Sequence, residues 1–334
     1  MIAKMLTHET TRRVALAGLL AVGLAGPAMA QNFPAKPLTL IVPFAAGGPS
    51  DVIARLLADH IGRTLSQQVV VENVAGAGGT AGAKRLASAD ADGYTLLIHH
   101  LALAAAPSLY SNLGYDTLTA FAPVGLVNTG PMVVAGKLAL PPVDGKAFFP
   151  FAKAQADKLT IAHAGVGSNS HLCAVLMSQA LSAKFAQVAY RGTGPAMNDL
   201  VSGQVDILCD QSTTAVPQVQ GDKIRAYAVT STGRLDVLPN TPTAREIGTD
   251  LEMTIWHGLY APKGTPGPVL DKLNGALKAA LKDPTVLDRF KAVGTNAFPE
   301  AEWTRDAHAK RFGDEVAKWA VSLKAAGVTL QSAN

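Results

Sequence analysis

Residues 38–51 read LTLIVPFAAGGPSD. The first part, Leu38–Phe44, is a continuous run of apolar and β-branched residues, the pattern of a strand covered on both faces. Ala45-Ala46-Gly47-Gly48 breaks the run, and Val52, Ile53, Leu56, Leu57, His60 and Ile61 then recur at helical spacing, predicting a helix over 52–64. Pro49 suits a first helical position, where its missing N–H has no partner to lose, and Ser50 and Asp51 suit the positive end of a helix dipole. A strand, a Gly-rich turn and a helix in that order make one unit of a parallel α/β sheet.

Working outward, a strand follows at Gln68–Glu72, then a second Gly-rich turn over Val74–Gly82 opening a helix that ends near Ser88, a strand at Tyr94–His99 and a fourth at Phe121–Asn128. The same grammar restarts at Leu159–His163, which leads through Ala164–Ser170 into a helix over His171–Leu181. Ala186–Tyr190 leads through Arg191–Pro195 into Ala196–Ser202; Val205–Cys209 ends in Asp210, and Ile224–Thr230 is a further strand. Two α/β units in tandem are expected, with residues 131–158, punctuated by Pro131, Pro141, Pro142, Gly145 and Pro150, as the connection. Beyond Trp256–Pro262 the chain closes with long amphipathic helices over Pro268–Leu281 and Trp303–Ala326.

The 334 residues are 48% hydrophobic and 16% charged, which excludes intrinsic disorder. Two cysteines exclude a disulfide scaffold, and a formal charge of +4 without a basic run gives no footing for nucleic acid. Residues 1–30 carry Lys4, Arg12 and Arg13, the apolar run Val14–Leu24, and Ala28-Met29-Ala30: the order of a secretory signal peptide, with cleavage expected after Ala30. Its 11-residue apolar run is short of the roughly 20 needed to cross a bilayer. Cleavage removes three basic residues and Glu9, lowering the formal charge from +4 to +2. Arg12-Arg13 is compatible with both twin-arginine and general export. The expected product is an exported protein, periplasmic in a Gram-negative host.

Four Gly/Ser/Thr-rich turns, at 44–51, 75–80, 165–170 and 191–195, each end a strand and open a helix. Exposed N–H groups and the helix dipole make such a start an anion site, and four converging would hold a small anion. Gly76-Ala77-Gly78-Gly79-Thr80-Ala81 approximates a dinucleotide loop, but the following strand ends in His99-His100 and not in the acid a ribose needs. There is no GxxxxGK[ST] loop, no HExxH or CxxC, and no GxSxG elbow, so neither a cofactor nor a metal ion is expected. A serine hydrolase using Ser168 or Ser170 with a nearby His such as His163 is the rival class; it lacks an identifiable third acid. Cys173 and Cys209 are read either as one disulfide or as two buried thiols.

Lys36-Pro-Leu-Thr-Leu-Ile-Val-Pro-Phe-Ala-Ala-Gly-Gly-Pro-Ser-Asp51 with Ala54-Arg55 resembles the opening of the Bug receptors, the solute-binding proteins of tripartite tricarboxylate transporters. Val71-Glu72-Asn73 with Gly76-Ala77-Gly78-Gly79, Asp92–Leu97, Ser170-His171, Tyr190-Arg-Gly-Thr-Gly-Pro-Ala196, Gly203-Gln-Val-Asp206 and Trp256-His-Gly-Leu259 continue the resemblance over nearly the whole mature chain. It implies a two-lobed periplasmic-binding-protein (type II) fold, with two mixed sheets flanked by helices and a hinge between them. Residues 31–130 plus 250–334 would form lobe 1 and residues 131–249 lobe 2. It further implies a non-enzymatic, monomeric receptor that closes on a small organic carboxylate and delivers it to membrane subunits of the transporter. Presentation of the ligand to a sensor protein is an alternative use of the same pocket. Carried over, the first-lobe contacts are Phe44, Ala45, Gly47, Gly48, Ser50, Gly78 and Gly79; the second lobe gives Ser168, Ser170, Arg191, Gly192, Thr193 and Asp210, while Asp51 serves the helix start. The chain departs from the family in carrying His99-His100-Leu101-Ala102-Leu103 where small hydroxyl residues or Gly are usual. An imidazole at His100 could meet a distal carboxylate, which favours an aromatic or dicarboxylic acid of phthalate type. Asp210 argues the other way if it pairs an ammonium; its alternative role is a structural hydrogen bond at a strand end.

Overall fold

The structure is a computed structural model that describes residues 33–325 and 327–331; the leader expected over residues 1–30 lies outside them. β1 (Leu38–Val42) pairs in parallel with β2 (Val69–Asn73) on one side and β3 (Thr95–His100) on the other. Leu38, Leu40, Ile41 and Val42 are fully buried, as a strand covered on both faces must be. The covering helices are α1 (Pro49–Leu65), which buries Ile53, Leu57 and Ile61 along one stripe, and α2 (Thr80–Ala87). α1 starts at Pro49 itself, ahead of the first apolar residue of its stripe. A short helix, α3 (Ala102–Ala105), follows β3 directly.

β4 (Phe121–Gly136) is 16 residues long and serves two partners in turn. Phe121–Pro131 pairs antiparallel with β9 (Thr254–Pro262), which pairs on its other edge with β3; Met132–Gly136 pairs with β7 (Ile207–Gln211). Beyond β7 the order continues through β5 (Thr160–His163) to β6 (Ala186–Ala189), all parallel, while β8 (Arg225–Val229) and β10 (Asn296–Ala297) pair with β4 off this path. The result is two groups of strands with the same order, β2-β1-β3 against antiparallel β9 and β6-β5-β7 against antiparallel β4, joined along β4. This is the expected pair of mixed sheets flanked by helices.

The connection expected over 131–158 is corrected in two places. Residues 131–136 continue β4, because the N–H that Pro131 lacks falls where the strand changes partner from β9 to β7. α4 (Gly145–Ala154) then forms in spite of Pro150; the Asp144 side chain caps it by accepting from the Ala147 N–H, and Phe148 stacks on Tyr227 at 3.9 Å. The second group carries α5 (Asn169–Leu181), α6 (Thr193–Ser202) and α7 (Ser212–Gln220). The chain ends with α8 (Gly267–Lys282), which packs on α1, then α9 (Pro284–Ala292) and α10 (Arg305–Ala325). Cys173 on α5 and Cys209 on β7 form a disulfide, which answers the question their sequence leaves open.

Candidate ligand-binding site

The turn after β1 is built around Asp51. Its carboxylate accepts the Gly47 N–H at 3.0 Å, accepts from Arg55 Nε and Nη2, and is met by Asn73 Nδ2, which also donates to the Phe44 carbonyl. Burial alone would raise this carboxyl, but the hydrogen bonds from Arg55, Gly47 and Asn73 hold it below its ordinary value. Asp51 is therefore scaffold, as the sequence suggests, and what it presents is Phe44 on one side and Ser50 on the other. Phe44 stacks on His100 with ring centroids 4.7 Å apart, and Ser50 Oγ lies 3.0 Å from His257 Nε2 on β9. Burial pushes His99 and His257 down to about 3 and His100 well below its ordinary value, so this floor of imidazoles is neutral.

The opposite wall comes from the ends of β5 and β7. The Ser168 hydroxyl donates to the Gly165 carbonyl and caps α5 through the His171 N–H; Ser170 Oγ accepts the Ala164 N–H and lies 3.1 Å from Ser168 Oγ. These hydroxyls are engaged with backbone and with each other, which is turn architecture and not an activated nucleophile. The one serine facing an imidazole in the cavity is Ser50, and its partner His257 has no acid on Nδ1. Asn169 has neither of its amide atoms partnered, Asp210 leaves Oδ1 unpartnered while Oδ2 accepts from Thr214, and Gln211 leaves Oε1 unpartnered, although all three side chains are at least nine-tenths buried. Burial pushes the Asp210 carboxyl up to about 6, against the pull of Thr214, the Gln211 N–H and Thr193.

Together these groups line a narrow pocket of about 20 Å³, room for about one water molecule. Phe44, Gly48, Pro49, Ser50 and His100 line it from the β1–β3 side; Ser168, Asn169, Ser170, Thr193, Asp210 and Gln211 line it from the other, with Met132 and Ala164 between. No Lys or Arg takes part. Among the described residues no cluster of His, Cys, Asp or Glu is arranged to hold a metal ion. Eight of the residues expected from sequence are on this lining: Phe44, Gly48, Ser50, His100, Ser168, Ser170, Thr193 and Asp210.

Ala45, Gly47, Gly78, Gly79, Arg191 and Gly192 are not on the lining; several sit where turns of the two strand groups touch. The Ala45 N–H donates to the Arg191 carbonyl at 3.0 Å, and a Cβ on Gly192 would come within 2.8 Å of Ala45 N. Gly78, at φ +61°, faces Val166, whose carbonyl a Cβ would overrun at 1.7 Å; the same carbonyl accepts from the Tyr110 hydroxyl at 2.7 Å. Gly79 makes room for His99 and Phe44. Asn169 and Gln211 were missed, although each adjoins a residue singled out from the sequence; position beside Ser168 and Asp210 at a strand end or helix start is the signal that could have found them.

Two such strand groups of the same order, joined along β4 with a pocket walled from both, make a two-lobed periplasmic-binding fold. The chain belongs to the tripartite tricarboxylate transporter receptor family: residues 53–328 match the family described as TctC, Tripartite tricarboxylate transporter family receptor. A UPF0065 protein in the TAR-I ttuE-ttuC' intergenic region of Agrobacterium vitis is 44% identical over 298 residues, 89% of this chain and 86% of its own length. Among solved structures, the periplasmic binding protein BugD is 44% identical with a TM-score of 0.87, covering 90% of this chain and all of its own. MatC from Rhodopseudomonas palustris with bound malate is 38% identical (TM-score 0.83, 86% and 99% covered), and R. palustris Rpa4515 with adipate is 28% identical (TM-score 0.84, 90% and 100%). Family and neighbours are those of periplasmic solute-binding receptors for small carboxylates.

Proposed function

We propose that this protein is an exported, monomeric receptor that captures a small dicarboxylic acid in the cavity and delivers it to the membrane subunits of a tripartite tricarboxylate transporter. The observation that carries this reading is the cavity itself, walled from both strand groups and holding buried polar atoms that no protein group satisfies. Such atoms are costly unless a ligand completes them. The ligand carboxylates would meet backbone N–H groups at the starts of α1 and α5 together with Ser50, His100 and Asn169 Nδ2, since the lining offers no cation. The malate- and adipate-bound relatives support a dicarboxylate. In this reading residues 31–130 with 250–334 and residues 131–249 are the lobes, and the change of partner within β4 marks the hinge. The test is a thermal-shift screen of mono-, di- and aromatic carboxylic acids. A true ligand at a hundredfold excess over Kd should stabilise by about 2.7 kcal/mol. A screen in which no acid shifts the transition, or in which one is turned over, overturns the reading.

A further inference from the structure

The ribbon of β4 and β9 that joins the two strand groups has two faces. Asn128 pairs with His257, Thr129 with Trp256 and Pro131 with Thr254. Side chains alternate along a strand, so Met132 shares a face with Asn128 and His257, while Thr129, Thr254 and Trp256 share the other. The first face is the front: Met132 lines the pocket, and His257 meets Ser50 there. The second face floors a wider groove at the rear, of about 360 Å³. Trp319 and Ser322 on α10 form one bank of that groove, and Leu176 on α5 reaches it from the other strand group. Trp319 is fixed by donating from Nε1 to Glu315 at 2.9 Å, and α5 is tied to β7 by the Cys173–Cys209 bridge. Each bank therefore moves with its own strand group.

A front pocket with room for about one water admits an organic acid only if the strand groups part there. In the receptor reading above, the chain crosses between lobes at Pro131 and again just before Thr254, and those two residues pair side by side. Parting is then a rotation about one line. A rotation that widens the front narrows the rear and carries Leu176 towards Trp319 and Ser322. Apolar surface covered in this way stabilises the open form, and bulk already filling the groove opposes it. Granted the receptor reading, we infer that the rear groove sets the balance between open and shut forms. Leu176 and Ser322 thereby scale the affinity for every ligand by one common factor, although neither is on the pocket lining.

The experiment fills the groove from either bank, with Ser322→Trp and Leu176→Trp, the melting transition showing which variants are folded. Calorimetric titration with malate, adipate and the strongest binders of the acid screen should give affinities raised about fivefold or more, with the ratios between acids unchanged within about twofold. Small-angle X-ray scattering without any acid reads the same balance directly. The unaltered chain should be more extended than the shut form described above, and a filled variant should move towards that form. Val321→Trp, beside Ser322 but 71% exposed, should change neither readout. Affinity and scattering unchanged in the folded variants overturn the proposal. Ratios that change along with affinity also overturn it, as does a ligand-free chain that already scatters as the shut form. If no acid binds, the receptor reading falls, and the scattering alone decides whether the groove governs the hinge.

Discussion

Asp210 is held in a condition that folding alone would not choose. Its carboxyl is completely buried, half-partnered and pushed from 3.8 to about 6. The folded state therefore keeps a proton that the unfolded chain has lost between those values, so stability falls as pH rises through that window and stays lower above it. The cost reaches about 3 kcal/mol. Asp210→Asn should accordingly raise the melting temperature of the ligand-free protein at pH 7.5, and much less at pH 4; an equal change at both would remove the burial argument. In the receptor reading proposed above, a buried carboxyl kept at this cost is an exchange of stability for function. Sequence reasoning could point to Asp210 by its place at a strand end, but not decide between an ammonium partner and a structural bond. That decision depends on which oxygen Thr214 leaves free, a matter of packing between β7 and α7 and not of spacing.

At the scale of elements, β1 and α1 were legible because their patterns are undiluted: four fully buried strand residues, a Gly turn and a Pro start. β4 and α4 were not, since Pro131 and Pro150 read locally as punctuation. Only the partner change at Pro131, and the burial of Phe148 against Tyr227, make those prolines tolerable. The Gly-rich turns read from the sequence as anion sites, but about half their glycines serve the approach of one turn to another, which is invisible without the second turn. The disulfide ties two elements that carry the wall: Cys173 sits one turn beyond Asn169 on α5, and Cys209 immediately precedes Asp210 on β7. It spans 36 residues of sequence, so its loss should cost about 4 kcal/mol by the chain-entropy account. Urea titrations with and without reductant, and of Cys173→Ala/Cys209→Ala, should show that drop; equal midpoints would mean the bridge adds nothing to the fold.

For the whole molecule, the unusual load is buried imidazole. Burial pushes His99, His257 and His308 from 6.5 to about 3, and His171 to about 4. These rings are neutral in the folded state while the unfolded chain takes up protons below pH 6.5, so stability is lost on acidification. Asp210 acts in the opposite direction, but one carboxyl offsets only part of the loss from four rings. The ligand-free melting temperature should fall steadily from pH 7 to pH 4, and fall more steeply in Asp210→Asn; a flat profile would contradict the burial of these groups.

The contacts Ala45–Arg191 and Tyr110–Val166 join the two strand groups through residues that are not on the pocket lining. In the receptor reading proposed above, parting the two strand groups breaks these two hydrogen bonds whatever groups the ligand carries. In that reading the two contacts add the same cost to the release of every ligand, while the ranking among ligands is left to the groups on the pocket lining. A receptor built this way can be made faster or slower in handing over its cargo without altering which cargo it prefers.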